Sequence, residues 1–183
     1  SISALAEREG RTPQEVAYDI LLERDGKAFI YTPLVNFASY DMSTPEAMLA
    51  DPNVIMGLGD GGAHVGFILD AGFPTWLMSY WGRDRNRFAM EDVIRRLTSD
   101  TAGAAGLSDR GVLKAGKKAD VNVIDWDLVG FSDPYVTFDL PAGGKRLLQK
   151  STGYAATIAS GEVTYRDGAA TGSLPGRVVR GQR

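Results

Sequence analysis

A chain of 183 residues with 44% hydrophobic residues, 23% charged residues and a net charge of −3 has the make-up of one ordinary globular domain or parts of two. No apolar run approaches the ~18 residues that a membrane-crossing helix needs, and the interleaved charges form no basic stripe for nucleic acid. Cysteine is absent, which excludes disulfides, thiolate metal sites and cysteine nucleophiles, and the single histidine, His64, excludes any site that needs two from this chain.

The chain opens SISALAEREG, with neither an initiator methionine nor a signal-like apolar core, and reads as a processed product or a piece of something longer. A cytoplasmic location is the expectation from the lack of cysteine and of a visible signal. Thr12, Pro13 and Glu15 combine an N-cap, a proline at the first helical position and a capping-box glutamate. They predict a helix with Val16, Ala17, Ile20 and Leu21 on one face, stopped at Asp25 and Gly26. Thr44 and Pro45 open a second, shorter helix that ends before Asp51 and Pro52. Residues 54–58 are apolar throughout except for a glycine, too short for a helix, and predict a strand buried on both faces. Phe73, Trp76, Tyr80 and Trp81 recur at helical spacing and are expected to form a packing face, with a substrate platform as the alternative. Met90, Val93, Ile94 and Leu97 mark a third helix, with acids in its first turn and Arg95 and Arg96 in its last, as the helix dipole favours. A fourth runs over 101–105, capped by Asp100 and stopped by Gly106. Beyond about residue 106 period-two patterns take over, predicting strands over 119–125, 154–159 and 162–165, with Ser160-Gly161 as a hairpin turn and another turn at Arg166, Asp167 and Gly168.

The stretch GLGDGGAHVG at 57–66 carries the chemical question. Its glycines match neither a dinucleotide fingerprint followed by a helix nor a phosphate loop with its lysine. Two readings stay open. Asp60 and its glycines build a turn, as Asp-Gly pairs often do; or Asp60 ends the strand over 54–58 and offers a carboxylate where small neighbours let a substrate approach.

Three segments bear on that choice: VIMGLGDGGAH, TSDTAGAAGLSDRGVLKAGKKADVNVID and IASGEVTYRDGAATGSLPGRVVR. In this order they resemble the C-terminal third of the amidohydrolase superfamily, most closely its N-acyl-D-amino-acid deacylase (D-aminoacylase) branch. The resemblance implies an α/β fold: the C-terminal part of a metal-dependent (β/α)8 barrel over residues 1–106, followed by a small β-sandwich-like domain over 107–183. It implies a metal-dependent hydrolase of the amide of an N-acyl amino acid, with Asp60 at the metal centre as general base and acid. Zinc is the implied cofactor, with its main ligands on segments upstream of those present here, so that the chain alone is expected to be inactive.

The chain also departs from the family. Where D-aminoacylases carry His-Pro-Arg about ten residues after the aspartate, this chain has Asp70, Ala71 and Gly72. Arg83 and Arg85 in YWGRDR are the candidates to hold a substrate carboxylate in its place. His64 is a candidate substrate contact close to the same loop, or a plain loop histidine. Tyr31, Asn36 and Tyr40 lie in a stretch of mixed pattern that gives no assignment. The expected partners are a small-molecule amide and the N-terminal remainder of the same protein, with a homo-oligomer as a further possibility and neither nucleic acid nor membrane. Two alternatives stand beside this reading: a cyclic-amide hydrolase of the hydantoinase or dihydropyrimidinase kind, and a non-enzymatic α+β binding module.

Overall fold

Local signals decide most of the helices. In the computed structural model, which describes residues 1–33, 35–37, 39–57, 59–62 and 64–180, they come first in the chain and the strands last. The chain divides into two compact units, Ser1–Asp51 and Pro52–Arg183. No helix among the described residues is long and apolar enough to cross a membrane.

The first unit holds α1 (Ile2–Glu9), α2 (Pro13–Gly26) and α3 (Ser43–Ala50). Helix α1, which the sequence reading left unassigned, is capped by the Ser1 side chain and closed by Gly10 in the left-handed conformation at φ 64°. The capping box of α2 forms as expected: the Thr12 N–H donates to Glu15 Oε2 at 2.9 Å, and the Glu15 N–H donates back to Thr12 Oγ1 at 3.3 Å. Those bonds from Thr12 hold the Glu15 carboxyl below its ordinary range. Regular helical geometry gives way at Glu23, and Arg24 and Asp25 turn left-handed, slightly ahead of the expected stop. Helices α1 and α2 pack against each other, and each has one buried residue, Ala6 and Val16 respectively.

The second unit contains α4 (Phe73–Trp76), which runs on into a π-helical segment, Leu77–Asp84, and then α5 (Met90–Leu97) and α6 (Ser99–Ala104). The N–H of Arg85 reaches the Tyr80 carbonyl at 2.8 Å, the wide i to i+5 bond that defines the π turn. The aromatic face behaves as expected, with Trp76 stacked on Tyr80 at 4.9 Å and Trp81 edge-on to both. Helix α6 starts two residues before its expected first residue, placing Asp100 in its first turn, where it pairs with Arg95 at 2.5 Å, rather than at its cap.

One expectation needs correction. Residues 54–57 form no strand, and Leu58 lies outside the described residues. A strand exists only beside a hydrogen-bonded neighbour, and every strand among the described residues lies from Val121 onward and pairs with others there. Arg96 Nη1 donates to the Val54 carbonyl at 3.4 Å, and Ile55 remains 50% exposed.

The tail is mostly β. An antiparallel sheet runs β1 (Val121–Ile124), β6 (Tyr154–Ala159), β7 (Glu162–Arg166), β8 (Ala169–Ala170), with β2 (Gly130–Phe131) on β5 (Ser151–Thr152), and β3 (Tyr135–Leu140) on β4 (Gly144–Leu148). Both expected turns form with positive φ at two successive residues, Ser160 and Gly161, then Asp167 and Gly168, matching the twist of the strands they join. The β3–β4 hairpin was not read from the sequence.

One face of the helix through 73–84 is fastened to this β region. Gly72 leaves room for Phe131, whose Cε1 stands 2.5 Å from where a Cβ would be. Thr75, buried, shares a hydrogen bond of 2.7 Å with the Tyr154 hydroxyl and one of 3.2 Å with Ser151. Gly82 similarly admits the Trp126 ring. Leu77, Trp81, Val93 and Val129, each fully buried, form the core of the unit.

Candidate active site

Asp60 sits between two glycines that have no room to be anything else. A Cβ on Gly59 would stand 2.9 Å from the Asp70 carbonyl oxygen and 3.1 Å from Asp70 Oδ1, and one on Gly61 would stand 2.6 Å from the Ala71 Cβ. Two stretches of backbone therefore lie directly against each other. Between them the Asp60 N–H donates to Asp70 Oδ2 at 2.7 Å, and Asp60 itself is exposed. The second stretch is anchored in turn, since the Phe73 N–H donates to the Asp70 carbonyl at 3.1 Å as α4 begins.

Beyond Asp60 the loop turns twice. Gly62 has φ 103°, His64 takes the left-handed conformation at φ 48°, and its carbonyl accepts from Phe67 at 3.0 Å and Ile68 at 3.2 Å. The His64 ring is exposed and lies 5.2 Å from the Phe67 ring. The loop is tied to β4 by the Leu147 N–H, which donates to the Val65 carbonyl at 2.7 Å.

The two arginines part company. Arg83 spends its guanidinium inside the molecule: Nη1 donates to the carbonyls of Val129 at 2.6 Å, Asp127 at 3.0 Å and Trp126 at 3.3 Å, and Nε to Asp84 at 2.7 Å. This is a clamp between helix and β region. Arg85 is exposed, with its Nε 3.1 Å from the Tyr80 hydroxyl and its guanidinium 5.2 Å from the centre of that ring. Among the described residues, no hydrogen bond, ion pair or ring contact joins Asp60 to His64, Arg83 or Arg85. Asp70 is the group that sequence reasoning passed over, although it stands at the position where the family pattern is broken. Tyr31 and Tyr40, in the first unit, are exposed and Asn36 is left-handed at φ 60°.

Among the described residues no three His, Cys, Asp or Glu side chains gather closely enough to hold a metal ion. Asp60, Asp70 and His64 are the ligand-type side chains nearest this loop, and they do not gather into the three or more protein ligands that zinc sites take. The residues present thus do not compose a metal site by themselves.

A sequence model of the amidohydrolase family matches residues 16–165. The chain belongs to the amidohydrolase family. Relatives of this family member include uncharacterized proteins of Mycobacterium tuberculosis and Mycobacterium bovis, each 28% identical over 177 residues, covering 92% of this chain and 28% of the relative. The D-aminoacylase of Alcaligenes xylosoxydans xylosoxydans is 30% identical over 107 residues, 58% of this chain and 20% of that protein. Among solved structures, a crystal structure of D-aminoacylase matches with a TM-score of 0.58 at 22% identity, covering 94% of this chain and 32% of the other. A second, from work on the binuclear metal centre of D-aminoacylase, matches with a TM-score of 0.57 at 20% identity, with the same coverage of 94% and 32%. The amidohydrolase chain described here thus spans less than a third of the length of the mycobacterial relatives, and the D-aminoacylase resemblance read from its motifs is met by these neighbours in both sequence and fold.

Proposed function

We propose that this chain is the C-terminal portion of a metal-dependent amidohydrolase that hydrolyses the amide of an N-acyl-D-amino acid, and that Asp60 moves the proton in that reaction. The observation that carries the proposal is the presentation of Asp60: an exposed carboxylate on a peptide wedged between Gly59 and Gly61 against Asp70 and Ala71, within the stretch matched by the family model. A turn aspartate has no need of such close backing, whereas a proton-transfer group has to be held within a fraction of an ångström of its working position.

In this reading residues 1–106 complete the barrel and 107–183 form the small β domain. Amide hydrolysis forms a C–O bond from water and breaks the C–N bond, and the departing nitrogen needs a proton. Asp60 accepts the proton that the attacking water loses and delivers it to that nitrogen. His64 and Arg85, exposed on the same unit, are the candidates to contact the acyl and carboxylate ends of the substrate. Arg83 is the weaker candidate because its guanidinium is already bonded within the chain. Zinc remains the proposed cofactor, in keeping with the binuclear metal centre of the neighbouring D-aminoacylase. Its main ligands lie outside these residues, so the 183 residues alone are expected to be inactive.

The test is Asp60→Asn in the intact enzyme, which keeps shape and most hydrogen bonding but removes the basic oxygen. Turnover of N-acyl-D-amino acids, measured at saturating zinc with bound metal quantified, should fall by roughly two to four powers of ten. Near-normal turnover in a folded, metal-replete variant returns the loop to a turn. Hydrolysis of cyclic amides in preference to acyclic ones overturns the substrate class instead.

A further inference from the structure

We propose that Asp70 is a positioning residue for Asp60, an inference that rests on the proton-transfer role proposed above. Asp70 contacts the peptide that carries the working carboxylate in two ways. Its Oδ2 accepts the Asp60 N–H at 2.7 Å, a charge-assisted bond of the strong kind, and its carbonyl and Oδ1 back Gly59 closely enough to forbid a side chain there. Ala71 closes the other side by the same closeness to Gly61. The support is itself held. The Asp70 carbonyl takes the Phe73 N–H at 3.1 Å, Gly72 packs on Phe131, and Thr75 is hydrogen-bonded to Tyr154 at 2.7 Å. A continuous set of contacts therefore runs from the β region through the start of α4 to the Asp60 peptide. With one exposed face and a glycine on either side, Asp60 has little else to fix it. The position also stands where the family pattern is departed from, so the support is a feature of this chain's own residues.

Displacing a reacting group by about 1 Å costs on the order of a hundredfold in rate. In the intact enzyme Asp70→Ala should therefore lower kcat about 10- to 100-fold, with KM changed by less than about threefold. Asp70→Asn should restore kcat to within about threefold, because its amide oxygen accepts the same N–H. Hydrogen exchange read on the peptide containing residue 60 supplies a measurement independent of turnover: faster exchange in the Ala variant and protection regained in the Asn variant. Should Asp70→Ala not fold, Asp70→Ser, whose hydroxyl falls short of the bond, takes its place. A crippled Asp60→Asn beside a normal Asp70→Ala overturns the Asp70 proposal alone. Equal loss in Asp70→Ala and Asp70→Asn, or unchanged exchange in both, also overturns it. Near-normal turnover in Asp60→Asn overturns the proton-transfer reading and the positioning role together.

Discussion

Arg83 offers the sharpest separation between a structural and a substrate-holding role. Replacing it by Met keeps much of the apolar stem and deletes every donor. The bond at 2.6 Å goes to the carbonyl of Val129, a residue with no exposed surface, so this acceptor loses its partner without gaining water. Losing a charge-assisted bond to a buried acceptor costs about 1.5–3 kcal/mol. The contacts to Asp127 at 3.0 Å and Trp126 at 3.3 Å share the same nitrogen, and together are counted as about one weaker bond of 0.5–1 kcal/mol. The pair with Asp84 is partly exposed and adds little. The expected loss is roughly 2–4 kcal/mol, which for a domain of this size lowers Tm by about 5–15 °C. Thermal melting of Arg83→Met in this chain should show that drop, while KM for the proposed N-acyl-D-amino acid substrate, measured with the same substitution in the intact enzyme well below its melt, stays within about twofold. Arg85→Met serves as the control, since its exposed contacts with Tyr80 predict a Tm within about 2 °C of the parent. An unchanged Tm in Arg83→Met together with a tenfold rise in KM would refute the clamp and restore the arginine to the substrate.

Two further outcomes follow from the packing of the β region. Gly153 has φ 81° and a Cβ there would stand 2.6 Å from Val129 Cα and N, so Gly153→Ala should cost about 2–4 kcal/mol by denaturant unfolding, and a loss under about 1 kcal/mol contradicts the contact. Burial pushes the Tyr154 hydroxyl above its ordinary pKa, with the Thr75 hydrogen bond acting the other way. A raised folded value means that the stabilising contribution is complete below the unfolded value of about 10 and is lost as pH rises through the folded one. Stability measured from pH 8 to 11 should thus fall less steeply in Tyr154→Phe than in the parent, and parallel curves would contradict this.

Much of the architecture was legible from neighbours along the chain. The capping box at Thr12 and Glu15, the dipole-matched charges of α5 and the two positive-φ hairpin turns all depend on residues within a few positions of one another, and each formed as read. The β3–β4 hairpin escapes a local reading because the residue at positive φ before its glycine is Ala142, which has no polar side chain to mark a turn as Ser160 and Asp167 do in the two hairpins that were legible. The run over 54–57 shows the opposite failure. Its apolar pattern specifies that it should be buried, yet a strand also needs hydrogen-bonding neighbours, and apolar composition cannot supply them. The candidate site divides in the same way. The sequence by itself singled out Asp60, through its glycines and its family pattern, and left the loop open between a turn and a strand-end carboxylate; that Gly59 and Gly61 admit no side chain is a finding of the fold. Only the tertiary structure decided that Asp70 backs Asp60 across ten residues of chain, and that Arg83 faces inward while Arg85 faces out. The physical reason is common to both. A carboxylate or a guanidinium bonds whichever complementary atoms the fold brings within about 3 Å, and that is a property of the folded chain rather than of residue spacing.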